Sequence, residues 1–220
     1  MSVAAFRRTR IKFCGFTRAD DIAEAVALGV DAIGLIMVPQ SPRAVSLEAA
    51  IALKNTILPL VNSVVLLRNP DAALVHEVLR VIRPSLLQFH GEESAEFCAS
   101  FGHPYLKAIA MQHQTRPLTE IAAEYATAAA LLLDGHAPGG LGGQGLAFDW
   151  QQSTGTVALP IMLAGGIRPD NVAAAIAAAR PFAVDVSSGI EAASGQTPGV
   201  KDSGKMRDFV REVRRADQLP

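Results

Sequence analysis

A lysine and a cysteine close a short apolar run, Ile11-Lys12-Phe13-Cys14, which gives way to Gly15-Phe16-Thr17. A thiol at the end of a buried strand is either inert filling or a proton-transfer group, and it acts as a base only when its pKa falls from about 8.5. Lys12 and Cys14 share one face of an extended chain, so an ammonium one layer deeper would favour the thiolate. Asp134 follows Leu131-Leu132-Leu133. It either caps a turn or, among apolar neighbours that raise its pKa, serves as a general acid. Arg43, in Ser41-Pro42-Arg43, is set by a rigid turn and suits a substrate carboxylate, with a surface arginine as the plainer reading. His90 is either a polar turn group or a substrate contact. His76, His103, His113 and His136 have no partners at ligand spacing and read as non-catalytic, and Cys98 reads as helix packing.

Short strands and alanine-rich helices must position these groups. Strands are expected at Ile11–Cys14, Asp31–Val38, Val61–Leu67, Ser85–Phe89, Tyr105–Ala110, Ala129–Leu133, Pro160–Ala164 and Ala183–Ser187. Helices are expected between them, with Thr17 and Ser46 as N-caps, Asn69-Pro70-Asp71 as a helix entry, Pro169 in a first turn and Lys201–Ala216 closing the chain. The eight units average about 26 residues, an ordinary βαβ repeat length. With no linker and no early Gly-x-Gly-x-x-Gly, the pattern predicts an α/β fold, a single (β/α)8 TIM barrel with parallel strands inside a ring of helices. One domain over 1–220 is expected, with tails at 1–9 and 217–220.

Half of the residues are apolar and the formal charge is −1, so nothing points to nucleic acid or a polybasic membrane surface. Arg7, Arg8 and Arg10 read as solvated tail charges. No apolar run approaches the roughly 18 residues of a bilayer span. Two distant cysteines without metal-ligand spacing fit a reduced, cytoplasmic setting. No ligand cluster calls for a metal or an organic cofactor, and the sequence leaves monomer and homodimer equally open.

In a barrel, residues following the C-terminal strand ends converge on one face. Leu163-Ala164-Gly165-Gly166 and Val186-Ser187-Ser188-Gly189 therefore place small residues in the last two units, where barrel phosphate sites form. Closure also sets the first strand beside the eighth, with Asp185 and Ser187 on the face of Lys12 and Cys14. A buried Lys12–Asp185 pair beneath the thiol is expected, because a lone interior ammonium is costly.

These stretches, with Leu87-Gln88-Phe89-His90-Gly91-Glu92, Gly142-Gly143-Gln144-Gly145, Phe148-Asp149-Trp150 and Pro198-Gly199-Val200-Lys201-Asp202, resemble the phosphoribosylanthranilate isomerase (TrpF) family from about Ile11 to Phe209. The chain departs from the family pattern at Phe13, usually isoleucine, and at Gln144, usually a small hydroxyl residue. The resemblance implies an isomerase of tryptophan biosynthesis that rearranges N-(5′-phosphoribosyl)anthranilate without a cofactor. It implies Cys14 as base and Asp134 as acid. Arg43 would hold the carboxylate, and His90, Gly165, Gly166, Asp185, Ser187, Ser188 and Gly189 would complete the substrate site. A rival phosphosugar isomerase would carry paired aspartates or a lysine–glutamate set, and a non-catalytic phosphometabolite binder would need neither Cys14 nor Asp134.

Overall fold

A computed structural model of the chain describes residues 8–137, 149–150, 157–192 and 198–218. The predicted barrel is present: eight strands pair in sequence order, all parallel, and the eighth closes onto the first. They are β1 (Arg10–Cys14), β2 (Ala32–Ile36), β3 (Asn62–Leu67), β4 (Leu86–Phe89), β5 (Tyr105–Ala110), β6 (Ala130–Asp134), β7 (Ile161–Leu163) and β8 (Ala183–Val186). The helices are α1 (Ala19–Ala27), α2 (Leu47–Lys54), α3 (Ala72–Val81), α4 (Ala95–Ala99), α5 (Leu118–Glu124), α6 (Val172–Ala179) and α7 (Ser203–Ala216).

Strand alternation divides the core in two. Outward residues such as Phe13, Ile33, Leu87, Leu131 and Val184 pack under the helices, while Ala32, Val64, Leu106, Leu132 and Met162 fill the barrel interior. The departure at Phe13 is a packing change: its ring is fully buried and meets Phe209 of α7 edge-on at 5.6 Å. Met206, Phe209, Val210 and Val213 form the apolar stripe that docks α7, spaced three and four residues apart. Above the interior layer, Cys14, Ile36, Val38 and Leu66 form a small apolar collar at the C-terminal mouth.

Ser46 and Asp71 cap α2 and α3, accepting from the amides of Ala49 and Leu74. Thr17 does not cap α1. Arg18 holds the cap position without a side-chain bond, and the Thr17 hydroxyl donates instead to the Gly199 carbonyl at 3.3 Å, tying the β1 exit to the segment before α7. Pro169 sits in the turn before α6, whose N-cap is Asn171. The N-terminal tail is anchored at its last two residues, where Arg8 forks onto Asp31 and Thr9 bonds Asp217. Gln144 and the glycine-rich stretch around it lie outside the described residues.

Candidate active site

A cleft of about 690 Å³, counting its open mouth, occupies the C-terminal face of the barrel. Cys14, Arg43, His90, Asp134, Gly165, Gly166, Asp185, Ser187 and Ser188 all line it, although they come from six different strand ends. Gly189 does not line it. A β-carbon there would lie 2.2 Å from the Ile167 carbonyl, so this glycine lets the β7 and β8 loops touch.

The floor is the expected ion pair. Lys12 and Asp185 are register partners across the β1–β8 seam, and Lys12 Nζ donates to Asp185 Oδ1 at 2.9 Å with both groups buried. Burial works against the ammonium, but Asp185 and the Cys14 thiol outweigh it and raise the Lys12 pKa, so the charge persists. Gly34 of β2 makes room for the thiol above, since a β-carbon at that position would lie 2.6 Å from Cys14 Sγ.

The sequence expectation that the thiol pKa falls is corrected. Burial pushes it up, Lys12 and Lys201 pull it down, Asp185 adds to the rise, and the net direction is upward. Lys12 therefore offsets part of a desolvation cost without reversing it in the free protein.

Asp134 also differs from expectation. Its carboxylate, 5% exposed, lies 3.4 Å from His90 Nε2 through one oxygen and 3.4 Å from His136 Nδ1 through the other. Burial pushes its pKa up, but the His136 and His90 imidazoles outweigh burial and bring it well below the usual carboxylate range. An acid raised by apolar surroundings is therefore not what the site holds. His136, read from sequence as uninvolved, is part of the site: its ring centroid lies 5.0 Å from that of His90, with the planes 23° apart. The available signal was the Asp-x-His spacing at a strand exit, which returns the second side chain to the same face. His90 is held from behind by the Gln88 amide, 2.9 Å from its Nδ1.

Arg43 is oriented by a carboxylate that sequence reading left without a role. Its Nε and Nη2 donate to Glu191 Oε1 and Oε2 at 2.6 and 2.8 Å, a bidentate fork. The side chain still lines the cleft. Glu191 also accepts from the Gly199 amide and from Lys201 Nζ, and its pKa is lowered: burial raises it, and Arg43 and Lys201 together outweigh that. Lys201 in turn donates to the Ser187 carbonyl. One hub thus links the arginine to the β8 loop.

After β7, Gly165 and Gly166 both take positive φ, 72° and 65°, a backbone without side chains that an anion can approach closely. Ser188 begins a single 3-10 turn, Ser188–Ile190, directly after β8. Ser187 Oγ is buried in the cleft wall with no hydrogen-bond partner among the described residues.

Comparison with known proteins identifies this arrangement. Residues 11–212 match the family described as N-(5′phosphoribosyl)anthranilate (PRA) isomerase. The chain belongs to that family. It is 51% identical over 215 residues to the N-(5′-phosphoribosyl)anthranilate isomerase of Stenotrophomonas maltophilia strain R551-3, covering 97% of this chain and 96% of that protein. It is 49% identical to the Xylella fastidiosa enzyme over 220 residues, covering 99% and 96%. Among solved structures, the isomerase from Thermus thermophilus superposes with a TM-score of 0.82 at 34% identity, covering 94% of this chain and 99% of that one. Another phosphoribosylanthranilate isomerase, 30% identical with a TM-score of 0.77 over the same shares, was solved with reduced 1-(o-carboxyphenylamino)-1-deoxyribulose 5-phosphate.

Proposed function

We propose that this one barrel domain catalyses the isomerase step of tryptophan biosynthesis, the Amadori rearrangement of N-(5′-phosphoribosyl)anthranilate to 1-(2-carboxyphenylamino)-1-deoxyribulose 5-phosphate. The observation that carries the reading is the layout of the cleft. A thiol and a carboxyl line it together with the small-residue loops that follow β7 and β8 and a guanidinium fixed by Glu191. A relative was solved in complex with reduced 1-(o-carboxyphenylamino)-1-deoxyribulose 5-phosphate, a molecule with a phosphate and an aryl carboxylate, which supports a cleft that takes both groups.

In this reading the Gly165–Gly166 and Ser188 amides and Ser187 Oγ take the phosphate, and Arg43 takes the anthranilate carboxylate. Fixing both ends holds the reacting carbons between acid and base, which is worth several kcal/mol of barrier. Asp134 delivers a proton to the ribose ring oxygen, the C1′–O bond breaks, and the nitrogen lone pair forms an iminium. The Cys14 thiolate then removes the C2′ proton, and the resulting enolamine tautomerises to the ketone. Because two imidazoles face Asp134, the acid is the carboxyl–imidazole group acting as one coupled unit. The Lys12–Asp185 pair keeps a cation beneath the thiol. No described helix is long and apolar enough to cross a membrane. The two buried free cysteines accord with a reducing cytoplasmic setting. One solved relative is described as dimeric. For this chain either a monomer or a homodimer accords with a cleft whose described lining comes from a single chain.

Loss of phosphoribosylanthranilate fluorescence on adding the purified protein tests the reading. Turnover that disappears in Cys14→Ala supports it, and no turnover by the unmodified protein refutes it.

A further inference from the structure

The contacts around Asp134 are unusual in length. At 3.4 Å, each imidazole nitrogen lies beyond the usual N–H···O range, and His90 Nε2 and His136 Nδ1 are both buried without a hydrogen-bond partner. Two orphaned nitrogens aimed at one carboxylate need an explanation of their own. With metal–ligand bonds of about 2.0–2.1 Å, the edge of a zinc tetrahedron is about 3.3 Å, and two imidazoles on one such ion have ring centroids about 5 Å apart. Each nitrogen lies 3.4 Å from its own Asp134 oxygen, close to that edge, the centroid separation of 5.0 Å fits, and one ligand atom from each of the three residues lies within 4.8 Å of the others, near enough to close on one ion. We propose that His90, Asp134 and His136 form a binding site for a divalent transition-metal ion of the zinc class, and that filling it switches the isomerase off.

Three further features fit. Asp134 is a buried carboxylate whose ion-pair partners among the described residues are two imidazoles and no lysine or arginine, so a dication held by all three would find its counter-charge in place. Metal-bound histidines hold their remaining ring nitrogen in a hydrogen bond, and His90 Nδ1 already meets the Gln88 amide at 2.9 Å. Gln88 Oε1 is itself buried and without a partner. A half-turn of that amide lets Oε1 accept from Nδ1–H and leaves the Nε2 lone pair for the ion. The trio also separates two cavities: His90 and Asp134 line the catalytic cleft, and His90 and His136 line a second cavity of about 680 Å³. An ion can enter from either side, with the cleft offering the fourth position to water.

The ion is an inhibitor here and not a cofactor. It would occupy the Asp134 lone pairs that must carry a proton to the ring oxygen. The binding claim stands on geometry alone, whereas the inhibition claim rests on the proposed role of Asp134.

Calorimetry with zinc(II) alone tests binding, and the visible spectrum of added cobalt(II) tests four-coordination. The unmodified protein should take up one ion per chain. His90→Ala and His136→Ala should each weaken binding by at least ~100-fold, and Gln88→Leu, which removes the support of His90, by ~10–100-fold. His136→Gln provides a second variant if alanine disturbs folding. Inhibition is read for each variant against its own metal-free rate. Absence of stoichiometric binding overturns the site, as does equal binding by His136→Ala, the result expected if Cys14 or surface histidines hold the ion. Binding that depends on the trio but leaves turnover untouched overturns inhibition and counts against Asp134 as the acid. A failure to bind zinc while Asp134→Asn is inactive refutes only the metal site.

Discussion

Lys12 Nζ lies 2.9 Å from Asp185 Oδ1 on the floor of the barrel mouth, directly across the seam that closes β1 onto β8. Removing one member leaves a buried charge without compensation, at a cost of about 3–5 kcal/mol. Lys12→Met should therefore destabilise the fold and also raise the Cys14 pKa further, slowing thiol alkylation near neutral pH. The double change Lys12→Met/Asp185→Asn should recover most of the stability and none of the alkylation rate. Urea unfolding paired with iodoacetamide kinetics separates the two effects, and alkylation unchanged across pH would remove Lys12 from the account of the thiol.

That ion pair was legible in the sequence because it needs only strand alternation and barrel closure. The placement of the glycine and serine runs at the cleft was legible for a similar reason, since the last two strand ends follow from the order of units. The signs of the Cys14 and Asp134 pKa shifts were not. Each is a balance between desolvation and several partners acting in opposite senses: Lys12, Asp185 and Lys201 for the thiol, His136 and His90 for the carboxyl. Glu191 meets Arg43 across 148 residues of sequence, so no local pattern announced the pair. Thr17 had the composition of a cap and lost that role to a tertiary bond with Gly199.

Gly34→Ala places a β-carbon 2.6 Å from Cys14 Sγ and 3.1 Å from its Cα. The thiol must shift, and overpacking of this kind costs about 1–3 kcal/mol. The variant should fold and melt at a lower temperature, while its turnover falls by far more than its loss of stability explains. Parallel melting curves and steady-state rates check this.

Arg43→Ala should act mainly on substrate affinity. A charged hydrogen bond is worth roughly 1.5–3 kcal/mol, so KM should rise by about 10–100-fold with a smaller change in kcat. Glu191→Gln keeps the volume but releases the guanidinium fork, and should move KM in the same direction by less. A fall in kcat with KM unchanged for Arg43→Ala would contradict its assignment to the carboxylate.

Acid stability follows from the depressed carboxyls. Glu191 and Asp134 both have folded pKa values below their ordinary ones. Their stabilisation is fully present above the unfolded values of about 4 and is lost as pH falls towards the folded values. The melting temperature of the unmodified protein should drop steeply below about pH 4. Glu191→Gln should be less stable at neutral pH and should show a shallower acid slope. Equal slopes for the two proteins would mean that Glu191 is not held in its charged form by Arg43 and Lys201.

The central claim is that Cys14 and Asp134 perform the proton transfers in a cleft whose binding groups lie elsewhere. Its most direct test is the steady-state kinetics of phosphoribosylanthranilate consumption by Cys14→Ala and Asp134→Asn, followed by fluorescence. The account predicts that each loses about 10²–10⁴-fold in kcat, the usual contribution of a positioned acid or base, with KM within a few-fold of the unmodified protein. Near-normal kcat in either variant would contradict it.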